Sequence, residues 1–257
     1  MKSNYEDLHR LFRDSITARE IAEPLAAFDA NQPSEKVKGF MEAKGFDVIG
    51  VSSDGTMLGY VQIEDLKIGL LKEYTKPFSD RTLLDEKTPL LETLGKLAEE
   101  DFVFLRFLGA PSAIVTRSDL QKAPVRMWLF GIISILEMQL LQLIKNEAEE
   151  DWWKDLLSLE RQKDAQKIYK LRLEKKEEIG LVDCLQFGDK MTIFKKTDAL
   201  FERTGFSSKK DLKSTMVKIE SLRNNLAHSN EIREDSWPEK IDLAIRIEEL
   251  VVLLEAG

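Results

Sequence analysis

One order of elements occurs twice in the first half of this chain, and that repetition limits the available folds more than any other feature. In its first occurrence Pro33 and Ser34 open a helix with Val37, Phe40 and Met41 on its inner face, closed by Gly45. Two strands are predicted next, over 47–52 and 57–63, joined by Asp54-Gly55, a strong hairpin signal. A further helix starts near Glu64. In the second occurrence Thr88-Pro89 opens a helix with Leu90, Leu91, Leu94 and Leu97 inward. Strands over 102–107 and 113–115 follow, separated by Gly109-Ala110-Pro111, and a helix begins within Thr116-Arg117-Ser118-Asp119-Leu120. Pro33 and Pro89 stand 56 residues apart, Asp65 and Asp119 54 apart. A near-constant offset across several markers is an internal duplication of one supersecondary unit.

The second half reads differently. The segment 127–144 is apolar enough to raise the question of a membrane span, but Glu137, Gln139 and Gln142 interrupt it and Pro124 opens it. It is expected to be a buried core helix. Residues 156–176 are helical and densely charged, the pattern of a solvated face. Another helix starts within 183–190, a loop covers 205–210, a break falls at 231–238, and a last helix runs over 240–254. Between them lies Ser221-Leu222-Arg223-Asn224-Asn225-Leu226-Ala227-His228. Met216, Ile219, Leu222 and Leu226 recur at helical steps, so the segment is an amphipathic helix. On that helix Asn224 and His228 stand nearly in line and Arg223 lies diagonally across. Histidine exchanges protons near neutral pH, and arginine holds phosphate by paired hydrogen bonds. The grouping suits phosphodiester chemistry without a metal. It equally suits a histidine at the end of a helix, set against the helix dipole.

Bulk properties narrow the classes. At 257 residues the chain has room for two ordinary domains, each with a core. A net charge of −8 excludes a general nucleic-acid coat protein while leaving room for a local basic patch. Such a patch is offered between Lys190 and Arg223, where nine bases face four acids, a net +5. A single cysteine, Cys184, excludes an internal disulfide and fits a reducing cytosol. The first fifteen residues are charged and carry no apolar signal core, so a cytoplasmic protein without a membrane role is expected. Residues 1–20 form a helix with Tyr5, Leu8, Leu11, Phe12 and Ile16 on one side, and His9, among charged neighbours, reads as a solvated surface residue. Two histidines and one cysteine leave no protein metal site of the usual kinds.

The duplication resembles the cystathionine-β-synthase (CBS) domain pair, most tellingly in Ile114-Val115-Thr116-Arg117-Ser118-Asp119-Leu120. In that family a hydroxyl residue and an aspartate at these positions contact an adenine nucleotide, the aspartate gripping the ribose hydroxyls. The resemblance implies that Thr116 and Asp119 bind AMP, ADP or ATP. In the first unit Asp65 is kept but Gln62 replaces the hydroxyl, so the second unit is expected to carry more of the binding. Thr116 followed three residues later by Asp119 is also the spacing of a capping box, which needs no ligand.

The string Leu-Arg-Asn-x-Leu-Ala-His resembles the HEPN family, all-helical domains marked by Arg, four to six residues, then His. The two resemblances together imply an α+β chain. Residues 1–123 are a CBS pair of two β-α-β-β-α units, and residues 124–257 an all-α helical bundle of HEPN type. They imply a nucleotide-regulated, metal-independent endoribonuclease acting as a homodimer. RNA supplies its own 2′-hydroxyl nucleophile. His228 moves the proton, Arg223 stabilises the phosphorane, and Asn224 orients the phosphate or the imidazole; Glu137, the lone acid on an apolar helix, either holds Arg223 or is a helix-surface residue. No DNA specificity is expected. The alternative is a non-catalytic adenine-nucleotide sensor or dimeric interaction module, in a toxin–antitoxin or phage-defence setting.

Overall fold

The computed structural model describes residues 5–147, 151–228 and 237–256. The chain divides into two compact units, and the division differs from the one expected. One unit runs from Ile16 to Pro124; the other joins the helix α1 (Tyr5–Ser15) to everything from Val125 onward. The expected first domain, 1–123, therefore loses its leading helix to the second.

The sheet unit contains the duplication. Its elements are β1 (Glu23–Pro24), β2 (Ala27–Asp29), α2 (Ser34–Lys44), β3 (Val48–Ser53) and β4 (Thr56–Gln62), then β5 (Leu83–Asp85), α3 (Leu90–Glu99), β6 (Phe102–Phe107) and β7 (Ala110–Thr116). The strands form two sheets, ordered β2-β3-β4 and β1-β7-β6-β5. In each, a short strand lies parallel to the first strand of a hairpin. Both hairpins carry a bulge at equivalent places, Val51/Ser52 and Leu105/Arg106. Both turn through two residues of positive φ, Asp54-Gly55 and Leu108-Gly109. This is the backbone that matches the twist of the flanking strands. The second turn is thus Leu108-Gly109 rather than the Gly109-Ala110-Pro111 expected, and Pro111 lies inside β7 opposite Arg106.

The helices expected after β4 and β7 are single 3-10 turns, Ile63–Asp65 and Arg117–Gln121. Each expected β-α-β-β-α unit is therefore closed by a turn, because the following chain has other work. After the first turn it crosses back over its own repeat: Leu71 N–H reaches Gln32 O at 3.0 Å, Lys72 N–H reaches Ala30 O at 2.9 Å, and Lys76 pairs with Tyr60. The second repeat receives the same bonds from the segment that precedes the first. Ala18 N–H donates to Thr88 O at 2.9 Å, Arg19 N–H to Glu86 O at 3.1 Å, and Glu23 pairs with Ile114. Each repeat is completed by a lead-in segment from outside its own core sequence, a 3-10 turn and an isolated bridge in the first and a 3-10 turn and β1 in the second. The buried sets correspond position by position: Val37, Met41, Ile49, Val51, Val61 and Leu66 in one, Thr93, Leu97, Val103, Leu105, Val115 and Leu120 in the other. Thr93 is the one polar member, and its hydroxyl is satisfied by Pro89 O at 3.1 Å.

The helical unit comprises α1, α4 (Ala123–Glu147), α5 (Leu159–Glu174), α6 (Phe187–Lys196), α7 (Asp198–Arg203), α8 (Lys209–Ala227) and α9 (Trp237–Ala256). Helix α4 is long and apolar enough to cross a membrane, yet Trp128, Leu129, Ile132, Ile133, Leu136 and Leu140 are all buried here. Helix α8 buries Leu212, Met216, Ile219, Leu222 and Leu226, the face its periodicity predicts. Helix α5 buries only Ala165, as its charge predicts. The expected break at 231–238 lies outside the described residues up to 236, and α9 begins at Trp237. His9 departs from expectation: only 3% exposed, it lies between Glu248 and Glu255 of α9, some 240 residues away in sequence.

Candidate functional site

Two places bring together the side chains singled out above. The first is the pair of strand ends in the sheet unit. At the end of β7, Asp119 Oδ2 accepts from the Thr116 N–H at 2.7 Å and from its hydroxyl at 2.9 Å. Asp119 Oδ1 lies 2.9 Å from Lys122 Nζ, which also pairs with Glu23 and donates to Ile21 O at 2.6 Å. The capping box is real, and Asp119 is 7% exposed. Burial lowers the Lys122 pKa, but bonds to Glu23 and Asp119 outweigh it and hold the ammonium above the usual lysine value.

At the end of β4 the equivalent carboxylate is arranged differently. Asp65 Oδ2 lies 2.7 Å from Lys76 Nζ, which donates also to Gln62 Oε1 at 2.7 Å. Both partners are substantially exposed, Asp65 by 36% and Lys76 by 42% of the side chain. The bond from Asp65 raises the Lys76 pKa. Gln62, standing where a hydroxyl was expected, thus holds the lysine. Lys76 and Lys122 were not singled out from the sequence, since each lies outside the short motif it serves.

Tyr60, Phe78, Phe102 and Phe104 form a cluster with ring centroids 4.8–5.9 Å apart. Phe104 is buried, whereas Tyr60, Phe78 and Phe102 are half-buried. Tyr60 pairs with Lys76 through the backbone, and Phe102 stands opposite Thr116 in the β6–β7 ladder. The aromatic cluster is thus tied to the first strand end through Tyr60, paired with Lys76, and to the second through Phe102, opposite the capped Thr116.

The second place is α8 and its neighbours. Arg223 Nη2 lies 3.7 Å from Glu137 Oε2, and its Nη1 lies 3.5 Å from Asn224 Oδ1. Glu137 does therefore meet Arg223, and its other oxygen accepts from Lys190 Nζ at 2.7 Å. Lys190 is 4% exposed, so this base, counted in the basic segment, leaves that surface and serves as an internal anchor. Its place among the buried Phe187, Met191, Ile193 and Phe194 of α6 was the signal that could have found it. One carboxylate between two cations leaves a net positive charge, delivered at the half-exposed Arg223. His228 caps α8, its N–H bonded to Asn224 O at 3.1 Å, with its side chain exposed. Cys184 is buried, and burial pushes its thiol up, away from nucleophilic use. Among the described residues no group of three or more His, Cys, Asp or Glu could hold a metal ion.

No protein-family model matches the chain, and no curated protein matches it. Solved CBS-domain structures match 40–47% of it. The CBS-pair protein CBSX2 of Arabidopsis thaliana is 15% identical over 44% of this chain and 96% of that one, with a TM-score of 0.38. A CBS domain-containing protein of unknown function from Bacillus anthracis is 14% identical over 42% and 91%, with a TM-score of 0.37. The CBS domain of a bacterial CNNM/CorC family Mg2+ transporter is 14% identical over 47% and 83%, with a TM-score of 0.36. At these identities and scores the reading of function rests on the residues.

Proposed function

We propose that this chain is an adenine-nucleotide-sensing regulatory protein, in which the paired repeats take the ligand and the helical unit is the output. The observation that carries the reading is the half-buried aromatic cluster Tyr60, Phe78 and Phe102, whose Tyr60 pairs with Lys76 and whose Phe102 stands opposite Thr116, the residues at the two Asp–Lys strand ends. A nucleotide asks for three things: an apolar face for the base, an acceptor for the ribose hydroxyls, and a cation for phosphate. Thr116, Asp119 and Asp65 supply the polar contacts that the CBS resemblance implies, and Lys76 and Lys122 add the cations. Asp65 and Lys76 form the more exposed pair, by 36% and 42% of the side chain, although the Asp65 oxygen that meets Lys76 is itself buried. Asp119 must first give up Lys122. Calorimetry with AMP, ADP and ATP tests the reading. Binding is expected, weakened roughly ten- to a hundredfold by Asp65→Ala or Lys76→Met, about 1.4–2.8 kcal/mol. No heat with any of the three nucleotides overturns it.

A second reading, a metal-independent endoribonuclease, is favoured by the Lys190–Glu137–Arg223–Asn224 chain of contacts. It is the arrangement by which Arg223 would be aimed at a phosphate, with His228 one turn beyond Asn224 to move the 2′-hydroxyl proton. A homodimer would bring two such motifs together. RNA incubated with the protein in EDTA should yield 2′,3′-cyclic phosphate ends. Equal cleavage by His228→Ala and wild type would sink this reading. Toxicity on expression that Arg223→Ala abolishes would favour it over the sensor alone.

A further inference from the structure

The amino-terminal helix docks in a way unlike the other helices of its unit. Between Asp7 and Ser15 its one buried side chain is His9; Leu8 and Phe12 are half-buried and Leu11 is 54% exposed. A docked amphipathic helix ordinarily buries its apolar stripe. This one buries an imidazole instead. His9 Nε2 lies 2.7 Å from Glu248 Oε1 and Nδ1 lies 3.0 Å from Glu255 Oε1, while Gln139 of α4 donates to the same Glu255 oxygen at 3.1 Å. The other Glu248 oxygen is buried with no hydrogen-bond partner among the described residues. A buried polar clasp of this kind fixes register more than it stabilises.

The second attachment is Phe12. A Cβ placed on Gly131 of α4 would lie 2.2 Å from Phe12 Cε1, so the ring is seated directly on the backbone of that glycine. Beside it runs an apolar groove of about 500 Å³, lined by Leu8 and Phe12 of α1, by Met127, Phe130 and Met138 of α4, and by Leu226 of α8. Side chains facing a groove have no partner atoms on one side, so α1 forgoes much of the packing that would hold it.

We propose that α1 is a releasable strap. It is fastened as one wall of the groove by the His9 clasp and the Phe12–Gly131 seat, and it lifts while α4, α8 and α9 stay folded. The groove reaches Leu226 and Ala227, the last residues of α8 before His228. Lifting the strap therefore uncovers the apolar Leu226 at that end of α8, beside Asn224 and His228, which are exposed already. From Ser15 the chain runs directly into the sheet unit at Ile16, so the strap is one of the two covalent tethers between the units.

Hydrogen exchange of the full chain, followed by mass spectrometry over peptides of α1 and α4, tests the strap. In wild type, α1 should exchange at least about tenfold faster than the buried stretch of α4. Gly131→Ala should raise exchange in α1 by a further factor of about ten, because the added methyl displaces Phe12, while alanine itself favours the α4 helix. Phe12→Ala removes the seat without crowding α4, and should give the same result if Gly131→Ala disturbs that helix. Equal exchange of α1 and α4 in wild type overturns the proposal. So does loss of protection in both helices together on Phe12→Ala, or no change in α1 with either variant.

Discussion

The two repeats of the sheet unit share a backbone and differ in where they keep their cations. Strand registers, bulges, turn conformations and buried positions correspond between them. At the lead-in segments the correspondence breaks. Lys76 pairs with Tyr60 and reaches Asp65, whereas the matching residue beside Ile114 is Glu23, an acid. Lys122 makes good the reversal by bridging Glu23 and Asp119 from its own repeat. The fold is therefore held by its ladders and its apolar layer, which leave the ionic contacts free to be reassigned. One repeat thus keeps an exposed ion pair, and the other has turned the same carboxylate into a buried structural cap.

Removing each carboxylate in turn separates the two strand ends most strongly. Asp119→Ala strips a cap from the Thr116 N–H and hydroxyl and leaves Lys122 half-paired, which should cost about 2–3 kcal/mol in urea unfolding. Asp65→Ala removes an exposed pair and should cost less than about 1 kcal/mol. Nucleotide affinity should show the reverse order, with the larger loss at Asp65 or Lys76. Equal destabilisation at both carboxylates would show that the two strand ends are equivalent after all.

The hairpin turns give a smaller test. Asp54 has φ 50° and Leu108 has φ 50°, each followed by a glycine of positive φ. Aspartate tolerates this left-handed backbone, whereas leucine gains nothing there, and Leu108 is fully exposed at 101%. Leu108→Asp should stabilise the chain by about 0.5–1 kcal/mol, and Asp54→Leu should destabilise it by about as much. Opposite signs in the two denaturation midpoints are expected. Two neutral substitutions would mean that the turns are not equally specified by their backbones.

What could be read from the sequence was what lies within a few residues of its own cause. The Asp54-Gly55 turn, the buried face of α8 and the offset between the repeats all depend on local spacing. Leu108-Gly109 was missed because a leucine conceals the turn and Pro111, three residues on, draws the eye to the wrong break. The closing 3-10 turns were read as helices because their first residues carry helix-start signals, while the need for the chain to cross to its lead-in position is not local. His9 and Lys190 were misplaced for the same reason. His9 stands among charged neighbours and Lys190 among apolar ones, and each is buried against a carboxylate far along the chain: Glu248 for His9 and Glu137 for Lys190. Of the candidate site, a cationic partner for Glu137 was legible, since a lone acid on an apolar helix invites one, but the spacing left Glu137 equally a surface residue and gave no sign that Lys190, at 2.7 Å, would lie nearer than Arg223, at 3.7 Å. Lys76 and Lys122 were not, because the lead-in segments that place or satisfy them belong to the other end of each repeat.

The smallest expected effect separates the two lysines by pH. Both ammonium groups are held above the usual lysine value, Lys76 by its bond to Asp65 and Lys122, against its burial, by bonds to Glu23 and Asp119. A cation whose pKa is raised on folding contributes stability that is complete below its unfolded pKa. That contribution is lost as pH rises through the folded value. The window therefore opens above the reference lysine value of 10.5 and lies on the alkaline side. The stability difference between wild type and Lys122→Met should be level from about pH 6 to 9 and should shrink above about pH 10.5. For Lys76→Met the difference should be smaller throughout, because exposed pairs are screened, and added salt should remove most of it. Urea midpoints for both variants across this range, at low and high salt, give the answer. If Lys122→Met is as salt-sensitive as Lys76→Met, the bridge from Glu23 to Asp119 is a surface contact like the other, and the contrast between the repeats rests on the Thr116 cap alone.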